Sequence, residues 1–136
     1  MKKKIAILGS TGSIGKTLIE IIKKDKKNFE IILLSADENY KELLKQAKTL
    51  KVKNLIINNK NSYKKIKNNK ISNKIKIYNN FDCYKEIFKK KVDYTMSSIS
   101  GIEGLKPTIE IIKYTKSVAI ANKEAIICGW NLINKE

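Results

Sequence analysis

The opening stretch MKKKIAILGSTGSIG constrains the fold of this chain more than any other. Ile5, Ala6, Ile7 and Leu8 form an apolar run with no helical period, and the run stops at a glycine. Such a run reads as a strand buried on both faces, as in a parallel sheet. Gly9, Gly12 and Gly15 follow three residues apart, with Ser10, Thr11 and Ser13 between them. Leu18, Ile19, Ile21 and Ile22 then give the apolar stripe of a helix predicted over 13–24. Strand, glycine loop and helix form the first half of a nucleotide-binding βαβ unit. The glycines have a physical purpose there. A dinucleotide pyrophosphate must approach backbone N–H groups closely, and a Cβ would hold it off. The helix start near Ser13 adds unpaired N–H groups and the positive end of its dipole. The hydroxyls of Ser10, Thr11 and Ser13 are further donors, and Gly15 lets the helix pack close to the strand. The competing reading is a tight strand–helix turn that holds no ligand.

Alternation of strands and helices continues down the chain. Residues 29–35 read as a second strand, 40–50 as a helix and 54–57 as a third strand. Lysine and asparagine dominate 60–73, where Tyr63 and Ile66 anchor a short helix followed by a variable surface loop. Ile75, Ile77 and Tyr78 mark a fourth strand, and 81–90 a third substantial helix carrying Tyr84, Ile87 and Phe88. The strand at 92–98 ends in Ser97 and Ser98, with Ser100 and Gly101 just beyond. A helix with Pro107 in its first turn follows, where proline is tolerated. Residues 118–121 read as another buried strand, and Trp130 begins a last helix. This alternation predicts an α/β, Rossmann-like, doubly wound and mostly parallel sheet in a single domain.

Composition narrows the function classes. At 136 residues the chain builds one core, and its 42% hydrophobic and 31% charged content is that of a soluble globular protein. No apolar run approaches the ~20 residues of a membrane span. The first strand starts at once, which leaves no room for a signal or transit peptide and makes the cytoplasm the expected compartment. Two cysteines, Cys83 and Cys128, suit a reducing compartment, and Cys83 reads as core filler. The chain has no histidine. Its net charge of +16 raises nucleic-acid binding, yet all 29 basic residues are lysine. Arginine forks, the preferred readers of bases and phosphates, are missing, so a solvated lysine-rich surface is the better account. Salt-sensitive sticking to polyanions is still expected.

Two further places have the chemistry of a site. Asp37 and Glu38 follow the second strand, where an acid accepts hydrogen bonds from a ribose 2′-hydroxyl and favours NAD. They serve equally well as helix caps and dipole partners. Asn122, Lys123 and Glu124 follow the 118–121 strand. An amide, an ammonium and a carboxylate at a strand's carboxyl edge suit nicotinamide-side and phosphate contacts, or a solvated helix-capping turn.

ILGSTGSIG, SISGIEGLKPTIEIIK and VAIANKEAIICG, in this order and spacing, resemble the N-terminal domain of the 1-deoxy-D-xylulose 5-phosphate reductoisomerase family along essentially the whole chain. That family uses NADPH and Mg²⁺ or Mn²⁺ to rearrange and reduce 1-deoxy-D-xylulose 5-phosphate to 2-C-methyl-D-erythritol 4-phosphate, an isoprenoid precursor. The resemblance implies NADPH contacts from Thr11, Gly12, Ser13, Ile14, Asn39, Asn122 and Glu124, and substrate contact from Lys123. It assigns no catalytic residue and no metal ligand to this chain. The family's small and basic or small polar residues before Asn39 are here Asp37 and Glu38, which would repel a 2′-phosphate. Residues 1–136 are accordingly expected to be a dinucleotide-binding domain truncated at its C-terminal end, without the family's catalytic and C-terminal domains. Such a chain binds a dinucleotide weakly and does not turn over. Its implied partner is a phosphosugar, with no specific nucleic acid and no membrane; a family-type homodimer is compatible with the chain but not readable from it. The alternatives are another dehydrogenase domain with this loop, such as the semialdehyde dehydrogenase type, and a lysine-rich nucleic-acid-binding module.

Overall fold

A computed structural model describes residues 1–68 and 73–135. Among these residues six strands form one sheet: β1 (Lys3–Leu8), β2 (Phe29–Ala36), β3 (Asn54–Ile57), β4 (Lys76–Tyr78), β5 (Tyr94–Ser97) and β6 (Val118–Ile120). Their order is β4-β3-β2-β1-β5-β6, and every pairing is parallel. The strand order reverses between β1 and β5, so these two diverge into opposite halves of the fold. Loops leaving their carboxyl ends enclose a crevice there.

The helices are α1 (Ser13–Lys24), α2 (Tyr40–Leu50), α3 (Lys60–Asn68), α4 (Tyr84–Ile87), α5 (Leu105–Ile111) and α6 (Lys123–Ile133). Alternate residues of β1 feed two cores, as the two-residue strand period demands. Ile5 and Ile7 pack with Ile19 and Ile22 of α1 and with Leu43 and Ala47 of α2. Ala6 and Leu8 pack with Tyr84, Phe88 and Ile111 on the other face. The sheet is therefore covered on both sides, which is why its central strand is an uninterrupted apolar run.

Three expectations need correction. The helix expected over 81–90 is reduced to α4. Asn80 turns the chain before it, its Oδ1 accepting from the Asp82 N–H at 3.1 Å. At the other end Phe88 adopts extended backbone, and its ring packs against Tyr84 and Tyr114 with centroids 5.7 and 5.6 Å apart. The last helix begins at Lys123, seven residues before Trp130. Gly129 lies inside it because a Cβ there would meet the Leu105 side chain. β6 is an edge strand and only half-buried. The parallel sheet itself agrees with the expected fold class. Of the expected 60–73 segment, α3 is present, while 69–72 lie outside the described residues.

Cys83 is buried beneath this aromatic cluster, and burial, with Glu86 and Asp82 nearby, pushes its thiol up to about 12. It stays a neutral thiol across the physiological range, as core filler should. Cys128 is exposed on α6. No helix among the described residues is long and apolar enough to cross a membrane.

Candidate functional site

A cleft of about 240 Å³ opens at the carboxyl edge of the sheet. Gly9, Thr11 and Gly12 come to it from β1, and Ser35, Ala36 and Asp37 from β2. Ser98, Ile99 and Ser100 face them from β5, with Asn58, Phe81 and Glu103 completing the rim. Five separate segments meet because parallel strands all end on the same side.

The three loop glycines do different work. Gly9 has φ +77°, which L side chains rarely adopt, and a Cβ there would lie 2.8 Å from the Ser98 carbonyl oxygen. At Gly15 a Cβ would lie 2.3 Å from the Gly9 oxygen and 2.6 Å from Ser10 Cα. Both are demanded by the chain's own packing. Gly12 is not. Its backbone is extended (φ −76°, ψ 174°), and the nearest atom to a Cβ would be the Gly9 oxygen at 3.6 Å. As the cap of α1, glycine is modestly favoured here, but no packing contact requires a bare Cα at this exposed position. A ligand that must rest on the main chain does, and this observation fits the residues present to a diphosphate.

The helix behind the loop agrees. α1 starts with no side-chain cap and no acidic residue in its first turn. Its leading N–H groups have no intrahelical acceptor, and its dipole leaves partial positive charge at the cleft. By contrast, α2 and α6 are each capped by an asparagine with an acid in the first turn.

Side chains below the loop hold it in shape. Ser35 Oγ accepts from the Gly9 N–H at 3.0 Å, and Ser98 Oγ donates to the Leu8 carbonyl at 2.8 Å. Gln46, buried in α2, donates from Nε2 to the Ser10 carbonyl at 3.0 Å. Gln46 is missing from a reading that follows only Leu43, Leu44, Ala47 and Leu50. A polar residue on the core-facing stripe was its available signal, since buried amides need partners. Ser10 must be corrected: it is fully buried and its hydroxyl donates to the Ser35 carbonyl at 3.3 Å, so it is a strut of the loop and not a donor to the cleft.

The remaining candidates distribute as follows. Thr11 and Gly12 line the cleft, while Ser13 and Ile14 are exposed in the adjoining first turn of α1. At the β2 corner Asp37 lines the cleft, and the cap of α2 is Asn39, whose Oδ1 accepts from the Glu42 N–H at 3.2 Å. Neither Asp37 nor Glu38 is the cap. Asn122 is buried and fully engaged: Nδ2 donates to the Ile99 and Gly101 carbonyls at 2.6 and 2.5 Å, and Oδ1 accepts from the Ala125 N–H at 3.1 Å. It thereby ties the start of α6 to the loop whose Ile99 and Ser100 line the cleft. Lys123 and Glu124 are exposed beside it and do not line the cleft. Among the described residues no group of three or more His, Cys, Asp or Glu side chains is placed to hold a metal ion.

Comparison with known proteins adds to this geometry. The family model for 1-deoxy-D-xylulose 5-phosphate reductoisomerase matches residues 5–129. The reductoisomerase of Pelagibacter ubique is 56% identical over 140 residues, spanning 98% of this chain and 35% of that protein. That of Caldanaerobacter subterraneus is 34% identical over 131 residues, covering 96% of this chain and 34% of its own length. The Zymomonas mobilis enzyme, solved in complex with NADPH, superimposes with a TM-score of 0.89 at 30% identity, over 99% of this chain and 36% of that one. A DOX-P reductoisomerase solved with magnesium gives a TM-score of 0.86 at 25% identity, over 99% and 34% of the two chains. The chain thus spans about a third of the length of the relatives it matches. On the match across 5–129, carried by a glycine loop at the switch point of a parallel sheet, the chain belongs to the 1-deoxy-D-xylulose 5-phosphate reductoisomerase family.

Proposed function

We propose that this chain is the coenzyme-binding part of an NADPH-dependent reductoisomerase that converts 1-deoxy-D-xylulose 5-phosphate to 2-C-methyl-D-erythritol 4-phosphate, in the cytoplasm. The observation that carries the reading is Gly12, bare and unencumbered above a cleft at the switch point. In this reading the N–H groups of Ser13 and Ile14, with the Thr11 hydroxyl, receive the pyrophosphate, which rests against the bare Cα of Gly12. Asn39 lies on the adenosine side. Asn122 and Glu124 serve the nicotinamide side, Asn122 by fixing the Ile99–Gly101 carbonyls, and Lys123 offers its ammonium to the phosphosugar. The bound coenzyme supplies a hydride for reducing an aldehyde. The chain's own share is to bind and orient it. The Mg²⁺ or Mn²⁺ of the family is assigned no ligand among the described residues.

Fluorescence titration of the chain with NADPH, at low and at moderate salt, tests this. The expected result is saturable binding that survives moderate salt, with no turnover when substrate, Mg²⁺ and NADPH are supplied together. Binding that collapses in salt and ignores NADPH would instead support the lysine-rich polyanion reading. Clear turnover would contradict the assignment of this chain as a coenzyme-binding part alone.

A further inference from the structure

At the β2 corner Asp37 lines the cleft with Glu38 beside it, both exposed, and among the described residues no lysine is in the cleft lining. Their backbone is pinned: the Asn59 N–H donates to the Asp37 carbonyl at 3.1 Å, and the Tyr40 N–H to the Glu38 carbonyl at 2.7 Å. Glu38 Oε1 also accepts from Asn59 Nδ2 at 3.3 Å. Neither acid is used as the cap of α2, which is Asn39, and neither is in an ion pair among the described residues. The Asp37 carboxylate is therefore unspent at the place where such folds meet the adenosine ribose.

We propose that Asp37 and Glu38 set the ribose preference of this cleft, so that it takes NADH at least as well as NADPH. This rests on the dinucleotide reading above. A ribose 2′-hydroxyl donates to a carboxylate, whereas a 2′-phosphate brings close to two negative charges against it. The lysine-rich surface, part of a net charge of +16, pulls the other way and favours the more anionic coenzyme. That pull acts over distance and is screened by salt, while charges in contact are screened far less. Rising salt should therefore weaken NADPH binding more than NADH binding.

The test is parallel titration of the full chain with NADH and NADPH at about 0.05 and 0.3 M salt, read by coenzyme fluorescence. It is repeated on D37S/E38K, with circular dichroism checking that the variant folds. The expected result is an NADH affinity equal to or above that for NADPH in the native chain at the higher salt. In the variant the preference should move toward NADPH by about tenfold or more, the size expected for turning local repulsion into attraction. A native chain that binds NADPH more tightly than NADH at the higher salt overturns the proposal and leaves the coenzyme reading intact. An unchanged ratio in a folded variant also overturns it. Binding of neither coenzyme defeats the underlying reading itself. If the variant does not fold, the native comparison decides.

Discussion

Gly12→Ala is expected to abolish most dinucleotide binding while leaving the fold almost untouched. The added Cβ meets nothing closer than 3.6 Å within the protein, and the backbone at Gly12 is one any residue adopts. Alanine is a poorer N-cap than glycine, so a loss of at most about 1 kcal/mol in stability is expected. A diphosphate resting on the main chain at this point is pushed outward by a methyl group. Its hydrogen bonds to the first turn of α1 lengthen, and at least a tenfold loss of affinity follows, equivalent to about 1.4 kcal/mol. Chemical denaturation and NADPH titration of the same preparation measure both halves. Large destabilisation would mean that Gly12 is structural; unchanged affinity would mean that nothing sits above it.

Gly15→Ala should behave in the opposite way. A Cβ there falls 2.3 Å from the Gly9 oxygen and 2.6 Å from Ser10 Cα, both main-chain atoms with no rotamer to yield. Relief requires α1 to lift off the loop, disturbing Ile19 and Ile22 in the core beneath. Overpacking commonly costs 1–3 kcal/mol, and a backbone clash of this kind should cost about 3 kcal/mol or more. Coenzyme binding is lost with the loop's shape. A thermal or urea midpoint close to that of the native chain would show that α1 is not seated on the loop in this way.

The contrast between these two glycines also shows what is legible in the sequence. Strand, loop and α1 are readable from residues 5–24 because a doubly covered parallel strand must be apolar throughout, and the helix after it must carry a 3.6-residue stripe. The same logic locates α2 and β3. It does not separate a glycine kept for packing from one kept for a ligand, since both are simply glycine in a string. Only the positions of Ser10 Cα and the Gly9 and Ser98 carbonyls distinguish them. Ser10 is a similar case: its hydroxyl turns inward to Ser35, and nothing in the alternation of small residues reveals that direction. α4 is shorter than its apolar spacing suggests because Phe88 gains more from the ring cluster than from another helical turn. In α6 a glycine that resembles a breaker is a contact point for Leu105. Asn122 illustrates the limit most clearly. The trio with Lys123 and Glu124 has the composition of a site, while the buried amide spends all its donors on the neighbouring loop.

The most direct test of the account follows the backbone amide resonances of the chain during titration to saturation with NADPH. The account predicts that Thr11, Gly12, Ser13 and Ile14 show the largest shifts, moving together along one binding curve. The result that would contradict it is a saturating coenzyme that leaves those four amides unmoved. Shifts gathered instead around Lys2, Lys26 and Lys51, in the hollow that also contains Phe29 and Thr49, would mark lysine-driven anion adsorption in place of a dinucleotide site.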